Sequence, residues 1–144
     1  MPILAPVARG IALEKTLTPL VQKEPGSWHP GDVIRIKITV KPQAETSWLV
    51  VDDPVPAGAT VLAGVQRSLL AESEEQELWP SHTEQGFGYF RAYYQWAPQG
   101  EFSIEYTIRI NQEGTFNLPA TRAEAMYAPE IHGELPNPVF EVQP

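Results

Sequence analysis

Val33-Ile34-Arg35-Ile36-Lys37-Ile38-Thr39-Val40 alternates without a break, with Ile34, Ile36, Ile38 and Val40 on one face and Arg35, Lys37 and Thr39 on the other. Successive side chains of a strand project to opposite sides, so this is a strand with one face in a core and one toward water. The pattern recurs from Glu101 to Ile110, where Phe102, Ile104, Tyr106, Ile108 and Ile110 alternate with Glu101, Ser103, Glu105, Thr107 and Arg109. Working outward, weaker strands are read over Ile11 to Leu17, Trp48 to Asp52, Thr60 to Leu62, Tyr89 to Trp96, Gly114 to Leu118, Thr121 to Met126 and Val139 to Val142, each bounded by Pro, Gly or Asn. About nine short strands without intervening helical periodicity predict an all-β chain, an immunoglobulin-like antiparallel β-sandwich. Pro98-Gln99-Gly100 reads as a tight turn and Asn111-Gln112-Glu113-Gly114 as the next, which would join three consecutive strands in a meander.

Composition bounds the function. The 144 residues include 15 prolines, 10 glycines and no cysteine, which excludes a disulfide scaffold, a thiolate-zinc site and a thiol nucleophile. No apolar run approaches the length of a membrane span. Ten basic against 18 acidic residues give a net charge of -8, which repels a phosphate backbone and an anionic membrane surface, so neither nucleic acid nor direct membrane contact is expected. Absent repeats or a low-complexity linker, residues 1–144 read as a single domain. Met1-Pro2-Ile3-Leu4-Ala5-Pro6 lacks the basic start and apolar core of a signal peptide, and with the end at Gln143-Pro144 the chain reads as an excised part of a larger protein.

From Leu69 to Gly88 the chain carries five glutamates and no lysine or arginine, -5 of the total -8. Residues 69–79 admit one short helix, ended by Pro80 and disfavoured by like charges; the whole stretch reads as a long exposed excursion between strands.

Catalytic patterns do not emerge. His29, His82 and His132 fall in three separate loops without ligand spacing, and are expected at the surface; no metal or cofactor is implied. Asp52-Asp53 reads as the start of the turn Pro54-Val55-Pro56-Ala57-Gly58. No serine has the glycine framing of a nucleophile elbow, and no glycine loop cradles a phosphate. A non-enzyme is the expectation. Between Phe87 and Trp96 six of ten residues are aromatic. With Phe90, Tyr94 and Trp96 toward the core, Tyr89 and Tyr93 would face outward beside Arg91, either covered by the acidic excursion or free to contact a sugar or a protein.

Three stretches in order resemble one family. They are His29-Pro30-Gly31-Asp32-Val33-Ile34-Arg35-Ile36 leading to Leu49-Val50-Val51-Asp52-Asp53-Pro54-Val55-Pro56-Ala57-Gly58, then Gly114-Thr115-Phe116-Asn117-Leu118-Pro119, then Ala123-Glu124-Ala125-Met126-Tyr127-Ala128-Pro129-Glu130-Ile131-His132-Gly133. Together, across Gly10 to Val142, they are similar to the C-terminal macroglobulin-like domain of bacterial alpha-2-macroglobulins. The resemblance implies a parent that inhibits proteases by trapping them after they cut a bait region. It implies a periplasmic or cell-envelope location, with the parent membrane-anchored, and partners within the parent, notably a thioester-type helical domain whose Cys-x-Glu-Gln motif cannot lie in this cysteine-free chain. It further implies that an aromatic residue in the loop after the penultimate strand shields the thioester from water. The matching position is Tyr127, supported by Met126. The alternative from another class is a free-standing carbohydrate-binding or adhesive module using Tyr89, Tyr93 and Trp79.

Overall fold

The computed structural model describes residues 7–68, 82–86, 88–97 and 99–144. Among these the chain forms twelve strands and no helix: β1 (Val7–Arg9), β2 (Ile11–Val21), β3 (Val33–Pro42), β4 (Thr46–Pro54), β5 (Ala59–Ser68), β6 (His82–Gly86), β7 (Tyr89–Ala97), β8 (Phe102–Ile110), β9 (Gly114–Phe116), β10 (Thr121–Ala125), β11 (Ala128–Leu135) and β12 (Phe140–Val142). A six-stranded sheet runs β1-β11-β10-β4-β7-β6, a four-stranded sheet runs β2-β3-β8-β5, and β12 pairs with β9 in a separate ribbon. The expected antiparallel sandwich is what the chain adopts. The short helix read within 69–79, Trp79 and most of the acidic excursion lie outside the described residues; the end of the excursion, His82–Gly86, is a strand paired with β7.

The two decisive stretches behave as their alternation requires. Ile34, Ile36, Ile38 and Val40 on β3 and Phe102, Ile104, Tyr106, Ile108 and Ile110 on β8 are all buried, and the two strands pair in register from Val33↔Arg109 to Val40↔Phe102. Their apolar face packs on β4, β7 and β10 of the other sheet through Leu49, Val51, Phe90, Tyr94 and Ala123. Phe90 stacks on Tyr106 with centroids 4.2 Å apart, and Tyr94 meets Phe102 at 4.9 Å. Aromatic pairs in these geometries add about 0.5–1.5 kcal/mol each beyond the area they bury.

The expected meander does not form. β7 pairs with β4 and β6, while β8 pairs with β3 and β5, so the segment through Gln99 and Gly100 carries the chain from one sheet to the other. β9 pairs with β12 and not with β8. Alternation reports which face of a strand is apolar but not whether its successor lies beside it or across the core. Here the apolar faces of β7 and β8 meet across the core.

Two of the family-like motifs meet in one contact. A Cβ on Gly58 would stand 2.9 Å from the ring of Phe116, and the Gly58 carbonyl accepts the backbone N–H groups of Asn111 and Gln112 at 2.7 and 3.3 Å. The Pro-Ala-Gly turn and the Gly-Thr-Phe turn are therefore one packed corner. Close approach also explains Gly133, whose Cβ would lie 2.2 Å from the Ile11 carbonyl oxygen where β11 crosses β2.

Asp53 corrects a second reading. Its carboxylate does not start the turn at Pro54; it is fully buried at the end of β4 and joins the two sheets. Its Oδ1 accepts from Lys15 Nζ at 2.8 Å and from Thr121 Oγ1 at 2.6 Å, and its Oδ2 accepts from the Tyr106 hydroxyl. Asn137 completes the network, accepting from Lys15 Nζ at 3.1 Å and donating to Thr121 Oγ1 at 3.0 Å and to the Pro119 carbonyl at 2.8 Å.

Burial pushes the phenols of Tyr94 and Tyr106 well above their ordinary value, and the Asp53 charge raises Tyr106 further. Both groups have folded-state values above their unfolded ones, so their contribution is fully present below about pH 10 and is lost as pH rises beyond it. Each phenol should lower stability by about 1.4 kcal/mol per pH unit once the unfolded chain ionises. Urea unfolding across about pH 9 to 11 should show this loss, shallower in Tyr94→Phe; the same slope with and without Tyr94 would contradict it.

Candidate functional site

At the end of β4 opposite Asp53, the strand departs from regular alternation. Thr46 and Leu49 are both buried, and the two residues between them, Ser47 and Trp48, are both exposed. The cause is Trp48, which has φ 55 and is the one non-glycine residue with positive φ among those described. A bulky residue held in this region costs of order 1–3 kcal/mol. The carbonyl of Trp48 accepts the backbone N–H of Met126 at 2.8 Å, and its indole meets the Tyr127 ring edge-on, with centroids 6.3 Å apart and planes at 88°.

Met126 and Tyr127 form the two-residue turn between β10 and β11. β10 pairs with β4 on one side and β11 on the other, with Ala125 opposite both Leu49 and Ala128, so the turn is flanked by β4 on its β10 side. Tyr127 is 80% exposed, against 52% for Val21, the next most exposed large hydrophobic residue among those described. Met126, Trp48 and Trp96 are exposed as well. The expectation that Trp96 faces the core fails. Trp96 pairs with Ser47 where the alternation has already shifted, and Ala97 takes the buried position.

The resemblance implies a loop after the penultimate strand at Tyr127, yet two strands follow it. Ala128–Leu135, which carries proline and glycine and so reads as a loop, is strand β11, paired with both β10 and β1. Its register against β10 shifts between Glu124 and Ala125, and Pro129 falls within that irregularity, where proline is best tolerated in a sheet.

Tyr89 and Tyr93 lie on the outer face, both half-buried. The Arg91 guanidinium sits 4.4 Å over the Tyr89 ring, and Tyr93 donates its hydroxyl to Glu84 at 3.0 Å. Burial, with the Glu84 charge behind it, raises the Tyr93 phenol above its usual range; a hydrogen bond to Asp52 raises Arg91. Cross-strand pairing sets Glu84, Arg91, Asp52, Arg122 and Glu134 in one row with alternating charge. Arg91 Nε lies 3.2 Å from Asp52 Oδ2, and Arg122 reaches along its own strand to Glu124 at 3.1 Å. An open depression of about 390 Å³ over this face runs from Arg91 and Tyr93 to Met126.

Of the three histidines expected at the surface, His29 is buried. It belongs to the Pro-Gly-Asp corner, where the buried Asp32 accepts the His29 N–H at 2.9 Å and the Lys23 N–H at 3.2 Å. The corner packs the start of β3 and is scaffold.

Residues 7–130 match the family model of the bacterial alpha-2-macroglobulin MG10 domain. The chain belongs to this family. The MG10 domain also superimposes on solved structures. Native E. coli alpha-2-macroglobulin, seen by cryo-electron microscopy, matches with a TM-score of 0.80 at 18% identity, covering 99% of this chain and 10% of that one. The crystal structure of native E. coli alpha-2-macroglobulin from domain MG7 to the C-terminus gives 0.79 at 20% identity, covering 99% and 25%. Salmonella alpha-2-macroglobulin reacted with methylamine gives 0.77 at 20% identity, covering 96% and 10%. At these identities the likeness is one of fold, and this MG10 domain spans a small part of each of those chains. No curated protein sequence matches it significantly.

Proposed function

We propose that this MG10 domain is a non-catalytic part of a bacterial alpha-2-macroglobulin-like protease trap, in which the Met126–Tyr127 turn docks on a neighbouring thioester-type helical domain of the same parent. The observation that carries the reading is Tyr127 itself. A tyrosine 80% exposed, on a turn that closes β10 and β11, flanked by β4 and lying beside Met126 and Trp48, is an anchor that the described residues leave uncovered. Clustered exposed aromatics of this kind mark contact surfaces, and tyrosine and tryptophan dominate their energetics.

A thioester is consumed when water or an amine reaches its carbonyl carbon. A ring laid over it excludes both, and the phenol hydroxyl can find a hydrogen bond at the wet boundary. Bait cleavage would pull the two domains apart and uncover the bond beside the captured protease. The parent then works in the periplasm or cell envelope, anchored to a membrane by a region that this domain does not contact. The carbohydrate-binding alternative finds less support, since Arg91 covers one face of Tyr89 and Tyr93 is tied to Glu84.

Oxidative footprinting of the full-length parent tests the docking. Met126 and Tyr127 should be protected before protease cleavage and modified readily after it. Equal modification in both states would overturn the reading.

A further inference from the structure

We propose that Trp48 is the positioning residue for Tyr127: its left-handed backbone presents a carbonyl to Met126 and an indole to Tyr127, and so holds the turn in its contact geometry. The inference rests on the docking role proposed for Tyr127 and adds the residue that makes that role precise.

The strain is not needed for strand pairing. β4 keeps one register against β7 on both sides of Trp48, with Ser47 opposite Trp96 and Leu49 opposite Tyr94, so an ordinary extended residue would preserve the ladder. What the positive φ accomplishes lies on the outer face. It breaks the alternation so that Ser47 and Trp48 both face out, and the indole comes to stand beside the next turn. Two consecutive residues of that turn are then held at once, Met126 through its N–H at 2.8 Å and Tyr127 through an edge-to-face ring contact at 6.3 Å. Tyr127 stays 80% exposed and Trp48 keeps 40% of its surface open, so the described residues leave the pair accessible to a partner.

Backbone strain of this type persists where the surrounding structure over-determines it, and an unfavourable conformation at an exposed aromatic cluster points to preorganisation. A tyrosine so open would otherwise sample several rotamers, and ordering it at the moment of contact would weaken the contact. Trp48 orders it beforehand.

Substituting asparagine separates this role from a merely structural one. Asparagine tolerates the left-handed region, and the residue 48 carbonyl remains to accept from Met126, so Trp48→Asn removes the indole and little else. Trp48→Phe keeps a ring. In nuclear magnetic resonance spectra of the 144-residue chain, Trp48→Asn should leave the core resonances in place while the Tyr127 ring signals lose their ring-current shifts and its χ1 coupling averages. Trp48→Phe should restore much of both. In the full-length thioester-bearing parent, Trp48→Asn should speed consumption of the thioester by methylamine about 2- to 10-fold, the span of an edge-to-face aromatic contact. The double variant with Tyr127→Ala should be no faster than Tyr127→Ala alone. Unchanged Tyr127 signals in Trp48→Asn would overturn the assignment. So would a faster reaction in Tyr127→Ala that Trp48→Asn does not share. If Tyr127→Ala itself leaves the reaction rate unchanged, the shielding role falls and takes this function of Trp48 with it, whatever the ring signals show about the contact.

Discussion

Asp53→Ala is expected to lower the free energy of unfolding by about 3–5 kcal/mol, the cost of removing one partner from a buried ion pair. Asp53 has no exposed surface, and the Lys15 side chain that meets it is only 10% exposed. Alanine would leave the ammonium with Asn137 as its remaining partner and would strip the Tyr106 hydroxyl and Thr121 Oγ1 of their common acceptor. Each buried donor left without a partner costs about 1–3 kcal/mol. The carboxylate draws on β2, β8 and β10 from its own position on β4, so its loss should loosen the apposition of the two sheets and not one strand alone. Asp53→Asn retains an acceptor and should fall between alanine and wild type. Urea unfolding of the three chains gives the comparison, and a loss below about 1 kcal/mol for Asp53→Ala would show that the network contributes no more than a typical single hydrogen bond.

The same residue shows where sequence reading stops. Side-chain period gave away β3 and β8, because Ile34, Ile36, Ile38 and the inward residues from Phe102 to Ile110 bury an unbroken row and nothing local competes with it. Asp52-Asp53 before Pro54 has the local chemistry of a turn, and the burial of Asp53 depends on Lys15, Tyr106, Thr121 and Asn137, which lie 38 to 84 positions away along the chain. No window of neighbouring residues contains that information. Strand β11 was hidden by Pro129 and Gly133, each of which ordinarily breaks a strand and each of which here has a positional reason: a register shift, and the close approach of the Ile11 backbone.

The candidate site divides in the same way. Periodicity alone makes Met126-Tyr127 the end of a strand; the family resemblance singled the pair out, and the family is the one to which the chain belongs. Tyr89 and Tyr93 were legible as outward residues on β7 beside Arg91, but Glu84 and Asp52, which meet Tyr93 and Arg91, come from pairing with β6 and β4. Trp48 gave no signal. A tryptophan in a strand-like stretch reads as an ordinary β residue, and nothing in the residues beside it signals a positive φ.

Tyr127→Ala is expected to have the largest functional effect and little on folding. The side chain is 80% exposed in the isolated domain, so truncating it removes little buried area and should cost stability only the Trp48 ring contact, about 1 kcal/mol or less. In the docked parent the ring would be fully covered, and a central aromatic anchor contributes about 2 kcal/mol or more to such a contact. If that energy holds water and amines away from the thioester, its loss corresponds to a roughly 30-fold faster reaction. Met126→Ala should act in the same direction but less strongly, since the thioether flanks the ring without capping the bond.

The most direct measurement is the half-life of the thioester in methylamine for full-length parent carrying Tyr127 or Tyr127→Ala, with bait region intact and this domain folded in both. Shielding by Tyr127 predicts a half-life shortened about 30-fold in the variant, and the same half-life for both proteins once a protease has cut the bait and separated the domains. Equal half-lives before cleavage would contradict it.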